Sequence, residues 1–295
     1  MIPCAARARA RIGVLVTGHA TPIGVPLVSI AALLLCTAIV ATYAVRVARH
    51  GRMRHERLGD APGSALCPGW LVEAFYWVLA AIGRRLARLG VEPDMLTFLA
   101  LACSLASLPL LASGRMAEGA LCVAAGGVFD ALDGLVARAQ GRASAAGAVL
   151  DAVVDRVADA APFVGLAVFY RGSAGTLLVP LAALVASSLI SYARARAEAQ
   201  GLALPSGLMR RHERLAYLLL ALVLGPLVPP LAAAPSIRCP VTLAGLAFIA
   251  AAGFVAAIVL VARARAALAA APARPVPPDR PPRARRSAKQ RALHP

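Results

Sequence analysis

Asp130, Asp133, Asp151 and Asp155 are embedded among Ala, Val, Leu and Gly in a strongly apolar chain. With Asp159 they make up five of the 14 acidic residues, all between positions 130 and 159. A charge at the bilayer centre costs roughly 2.5–3.5 kcal/mol on insertion scales, so carboxylates in apolar helices mark function by default. Their spacing is helical: Asp130 and Asp133 share one face, and Asp151, Asp155 and Asp159 share another. Such acids repel one another unless a cation neutralises them. All-oxygen ligands suit Mg2+, Mn2+ or Ca2+ better than Zn2+, and a Mg2+-type site implies a phosphate-bearing substrate. A carboxylate beside a hydroxyl can also take its proton.

The elements that must position these acids are membrane helices. The 295 residues are 60% hydrophobic, and apolar runs recur at about 24–45, 97–113, 117–137, 147–170, 174–193, 214–233 and 241–263. Each approaches the ~20 residues a bilayer helix needs, and backbone satisfaction in lipid makes them helices. The stretch 70–90, with Trp70, Phe75, Tyr76 and Trp77 at one end and Arg84, Arg85 and Arg88 at the other, reads as an amphipathic helix lying in the interface. The first aspartate pair then falls at the end of one span and the second group at the start of the next. Arg138 and Arg142 lie in the short loop between them.

The formal net charge is +17, and Lys289 is the only lysine. The arginines lie between and beyond the apolar runs, which fits anionic headgroups better than nucleic acid. Richer basic loops at 84–88, 138–142 and 194–214 and a basic C-terminus alternate with loops holding only Arg115, Arg171 or Arg238. The positive-inside rule places the richer loops in the cytoplasm. The arginine and alanine bias points to a bacterial source. None of the six cysteines forms a CxxC pair, and those in apolar runs read as small core residues.

Asp130-x2-Asp133-Gly134-x2-Ala137-Arg138-x8-Gly147-x3-Asp151-x3-Asp155 resembles, without gap or mismatch, the signature of the CDP-alcohol phosphatidyltransferases. The resemblance implies an all-α integral membrane fold of six transmembrane helices, with an amphipathic interfacial helix at its start, usually as a homodimer. One additional N-terminal transmembrane helix precedes it here. It implies transfer of the phosphatidyl group of CDP-diacylglycerol to an alcohol hydroxyl, with CMP leaving. It also implies that Asp130, Asp133, Asp151 and Asp155 hold divalent metal, Mg2+ or Mn2+ and as two ions, with Asp155 the general base. Gly134, Ala137, Arg138 and Gly147 would form the nucleotide pocket. Upstream, Pro93, Asp94 and Thr97 resemble the family's Pro-Asn-x-x-Thr, which also contacts the nucleotide; Asp94 replaces the Asn, and an ionised Asp cannot donate a hydrogen bond.

Arg194, Arg196, Arg210, Arg211 and Arg214 cluster after the fifth apolar run, where forked, charge-assisted hydrogen bonds could hold a phosphorylated acceptor. The run Ser191-Tyr192-Ala193-Arg194-Ala195-Arg196-Ala197-Glu198 is similar to the inositol-phosphate-using branch of that family. The expected acceptor is therefore inositol 3-phosphate, with glycerol 3-phosphate as the alternative. An ion or proton transporter is the reading from a different class; it predicts acids near mid-span. The expected organisation is an N-terminal extension (1–67) with a span at 24–45 and a polar linker, a catalytic domain (68–265), and a disordered Pro- and Arg-rich tail (266–295). The expected setting is the bacterial inner membrane, with the site facing the cytoplasm and no nucleic-acid partner.

Overall fold

The computed structural model describes residues 37–38, 41–49, 51, 69–202, 207, 209–228 and 238–270. Among the described residues all regular structure is helical. Seven α-helices follow one another: α1 (Gly69–Arg88), α2 (Pro93–Ala112), α3 (Met116–Ala139), α4 (Ala145–Phe169), α5 (Ala174–Ala199), α6 (Arg211–Leu224) and α7 (Pro240–Ala270). A 3-10 turn, Gly225–Leu227, extends α6. Most of the expected span at 24–45 and nearly all of the expected tail lie outside the described residues. Helix continues from 41 to 49, so the polar linker expected from residue 46 starts later. Helix α7 runs to Ala270, past the boundary expected at 265.

Among the described residues four helices, α2, α3, α5 and α7, are long and apolar enough to cross a membrane. The apolar runs expected to span at 147–170 and 214–233 do not reach that standard, for different reasons. Helix α4 has 25 residues but carries Asp151, Asp155, Arg156 and Asp159 between its first turn and its middle. Helix α6 has only 14 residues, about 21 Å at 1.5 Å per residue.

Helix α2 brings the two acid-bearing helices to one site. Helix α2 lies against both α3 and α4, α1 against α3, α4 against α5, and α7 against α5 and α6. One buried cluster includes Leu111, Met116, Phe163, Leu166, Leu222 and Ile249. A second, Leu79, Leu96, Ala131, Leu132 and Val136, fastens α1 and α2 to α3. Small residues permit the closest approaches, as expected where lipid supplies no hydrophobic drive between helices. A Cβ on Gly165 would stand 2.6 Å from the Leu108 carbonyl oxygen, so α2 and α4 meet there backbone to backbone.

Helix α4 starts at an N-cap in which the Ser144 hydroxyl oxygen accepts from the Gly147 N–H at 3.1 Å. Its two faces differ. Asp151, Asp155 and Asp159 line the interior, whereas Val149, Val153 and Val157 stand exposed on the outside. The 41–49 segment docks on α1. Tyr43 donates to Glu73 Oε2 at 2.8 Å and stacks near Trp77, over which Arg46 also lies.

Candidate active site

The loop 140–144 turns α3 into α4 and sets their charged ends together. Asp130, Asp151 and Asp155 each offer a carboxylate oxygen within 4.8 Å of the others. Asp133, also an expected ligand, is not in that group. It is only 6% exposed. Its carboxylate accepts from the Thr97 hydroxyl at 2.7 Å and from the Gly134 N–H. Thr97 thus ties α2 to the acids on α3.

Two cavities meet at this cluster, and Thr97, Asp133 and Asp151 line both. The first, about 600 Å³, is lined by Pro93, Asp94, Thr97, Gly134, Ala137, Arg138 and Gly147. All seven expected nucleotide residues therefore surround one space, with Arg142 at its wall. The second, about 260 Å³, runs from Asp130, Asp155 and Asp159 inward to Val123, Phe163 and Leu218.

The expected arginine cluster divides. Arg211 enters the acid cluster: its Nη1 lies 2.7 Å from Asp130 Oδ2 and 2.9 Å from Asp155 Oδ1, and its Nε donates to Asp159 Oδ1 at 3.0 Å. One guanidinium thus joins α3, α4 and α6. Arg214 is buried, donates to the Met209 carbonyl at 2.7 Å, and reaches Ser191 Oγ at 3.4 Å and Asp159 Oδ2 at 3.7 Å. Met209 takes a left-handed φ of 56°, so that bond pins a strained turn ahead of α6. The backbone N–H of Arg210 donates to Glu213 Oε2 at 3.2 Å, which caps the same helix start. Arg194 is half-buried and Arg196 is exposed; neither lines the second cavity. His212, ahead of the apolar run of α6, is half-buried and lines the second cavity.

The acids fit a divalent cation. Asp130, Asp133, Asp151, Asp155 and Asp159 carry five formal negative charges against two positive ones on Arg211 and Arg214, a surplus of three. Oxygen is the only donor element in the set, which suits Mg2+ or Mn2+.

Sequence reasoning assigned no role to several residues that the fold brings here. Asp159 carried a signal, its position on the face of Asp151 and Asp155. Phe75 and Tyr76 of α1 line the second cavity, although their composition indicated only an interface. Gln140 Nε2 donates to the Val91 carbonyl at 2.9 Å and more weakly to that of Ala87, tying the end of α3 to the α1–α2 turn. Ser187 also lines the second cavity; nothing in its apolar sequence context distinguished it.

Comparison with known proteins agrees with this geometry. The family model described as CDP-alcohol phosphatidyltransferase matches residues 91–263. The phosphatidylinositol phosphate synthase of Mycobacteroides abscessus is 42% identical over 151 residues, which are 50% of this chain and 69% of that protein. The crystal structure of Mycobacterium tuberculosis phosphatidylinositol phosphate synthase with CDP-DAG bound is 34% identical, with a TM-score of 0.55 over 64% of this chain and 94% of that one. The same enzyme in complex with manganese and citrate gives a TM-score of 0.54 at 32% identity, over 63% and 88% of the two chains. An intact aspartate motif, the convergence of its carboxylates and a family match over more than half the chain agree: this protein belongs to the CDP-alcohol phosphatidyltransferase family.

Proposed function

We propose that this chain transfers the phosphatidyl group of CDP-diacylglycerol to the hydroxyl of inositol 3-phosphate, releasing CMP. The observation that carries the reading is the acid wall between two cavities, one lined by the seven expected nucleotide residues and the other by Arg211 and Arg214. The names of the relatives support the inositol phosphate acceptor over glycerol 3-phosphate, and family membership disfavours a transporter.

The cytidine diphosphate occupies the larger cavity, held by Pro93, Asp94, Thr97, Gly134, Ala137, Arg138 and Gly147. The acceptor occupies the smaller one, with its phosphate toward Arg211 and Arg214, which line it, and with Arg210, Arg194 and Arg196 adding positive charge outside its lining. Asp155 takes the proton of the acceptor hydroxyl. The acceptor oxygen then bonds to the phosphorus that carries the diacylglycerol. The bond from that phosphorus to the bridging oxygen breaks, and the bridging oxygen leaves on CMP. Asp130, Asp151 and Asp155, with Asp133 beside them, would hold Mg2+ or Mn2+, which supplies positive charge to the diphosphate oxygens. Thr97 and the Gly134 N–H keep the Asp133 carboxylate oriented.

In this reading α2–α7 correspond to the six spans. Helix α1 lies on the cytoplasmic surface of a bacterial inner membrane. Residues 1–67 form an anchored extension, 68–265 the catalytic domain of a homodimer, and 266–295 a basic tail. The test is CMP release by purified protein in detergent with CDP-diacylglycerol, Mg2+ and a panel of acceptors. Inositol 3-phosphate is expected to be used well, and inositol and glycerol 3-phosphate poorly. Preference for glycerol 3-phosphate would replace the acceptor; no CMP from any acceptor would sink the enzyme reading.

A further inference from the structure

The smaller cavity continues past the charged cluster, and its inner end has a polar feature that neither metal chemistry nor phosphate binding uses. Ser187 on α5 is 3% exposed, and its hydroxyl has no hydrogen-bond partner in the protein. It lines the cavity one helical turn before Ser191, which takes the contact from Arg214. At 1.5 Å per residue that turn sets Ser187 about 6 Å further along α5 from the charged end. On the facing helix Pro162 lines the same space. Proline has no N–H, so it cannot donate to the carbonyl four residues earlier, that of Ala158. Ala158 lines the cavity too. Val123, Phe163 and Leu218 make much of the remaining lining apolar, with the Ser104 side chain also on it.

A buried hydroxyl without a partner is costly, typically by the full desolvation of the group. Ser187 thus offers a hydroxyl donor to a cavity also lined by Ala158, whose carbonyl lacks its helical donor, and a ligand hydroxyl suits such a pair. A ligand hydroxyl can accept from Ser187 while keeping its own proton to donate, for which the Ala158 carbonyl lines the same space. On the reading that the acceptor is a polyol phosphate bound in this cavity, we infer that Ser187, with the Ala158 carbonyl, binds a ring hydroxyl remote from the acceptor's phosphate. Ser187 thereby selects among polyols. The arginines recognise that a phosphate is present; Ser187 recognises the carbon skeleton that carries it. A phosphorylated alcohol too short to reach from the arginines to α5 leaves Ser187 unpartnered and forfeits this contact.

The experiment compares wild type, Ser187→Ala and Ser187→Cys of the full chain in detergent, on inositol 3-phosphate and its monodeoxy analogues. Ser187→Ala should raise KM for inositol 3-phosphate about tenfold, the worth of one hydrogen bond. KM for CDP-diacylglycerol should not move. The thermal midpoint should hold or rise, because no protein hydrogen bond is lost. One deoxy analogue should be discriminated against by wild type and accepted by Ser187→Ala as well as the parent compound. Ser187→Cys, close in size but a weak donor, should fall between. An unchanged acceptor KM with parallel analogue profiles in all three proteins would overturn the inference and leave the hydroxyl to a bound water. A lack of CMP from wild type with every acceptor would instead overturn the activity on which the inference rests.

Discussion

Asp155→Asn is expected to lower kcat for CMP release by about a hundredfold to ten-thousandfold, the usual worth of a positioned general base. CDP-diacylglycerol binding should change little. The carboxylate sits where both cavities can be reached from the acid cluster, 2.9 Å from the Arg211 guanidinium and within ligand distance of Asp130 and Asp151. Asparagine keeps the shape but cannot take a proton and offers a weaker, neutral oxygen. The fold should survive, because Arg211 retains Asp130 and Asp159 and so still joins α6 to α3 and α4. The proposed nucleotide residues lie round the other cavity, whose lining does not include Asp155. Single-turnover CMP release and equilibrium binding of the lipid donor, measured on the same preparation, separate the two effects. Wild-type turnover would remove Asp155 as the base; loss of donor binding would make it mainly a ligand to metal.

Arg211→Gln should have the second large effect, and it should be visible without turnover. One guanidinium offsets three carboxylates from two other helices. Its side chain is 33% exposed, so solvent screening reduces the several kcal/mol expected for a buried pair to about 1–3 kcal/mol. In EDTA the variant should therefore melt earlier than wild type. Added Mg2+ or Mn2+ should raise its midpoint by more than it raises that of wild type, because a divalent cation and Arg211 share the oxygens of Asp130 and Asp155, and only wild type gives up an ion pair when metal binds. In catalysis, losing a forked phosphate contact should raise the acceptor KM by about a hundredfold. Arg211→Lys should restore the charge but not the fork, recovering stability more than KM. A metal-induced shift equal to that of wild type would show that Arg211 does not compete with the cation.

The helices and the acids were legible in the sequence for one reason: both are local. Apolar run length marked α2, α3, α5 and α7, and spacings of three and four put the aspartates on shared faces. Local reading faltered where a helix owes its place to its neighbours. Asp155 and Asp159 of α4 are offset by Arg211 and Arg214 of α6. Arg211 and Asp130 are 81 residues apart, and no periodicity connects them. The arginine run looked alike from end to end. Its members diverged only when the turn at Met209 directed Arg214 into the protein and Arg211 into the cluster. The hydrogen bond from Thr97 to Asp133 was hidden in the same way, since it joins two motifs that sequence treats as separate.

Helix α4 carries its acids inward and its valines outward, and that division has a kinetic consequence. The exposed valine face suits hydrocarbon, and the donor of the proposed reaction is itself a lipid, so it arrives by lateral diffusion within the membrane plane, while the acceptor arrives from bulk water. The two substrates are counted in different units. The acceptor obeys molarity, but the donor obeys its mole fraction among the surrounding amphiphiles. Diluting CDP-diacylglycerol with detergent at fixed total concentration therefore slows the enzyme, whereas diluting the whole assay with buffer starves it of acceptor alone.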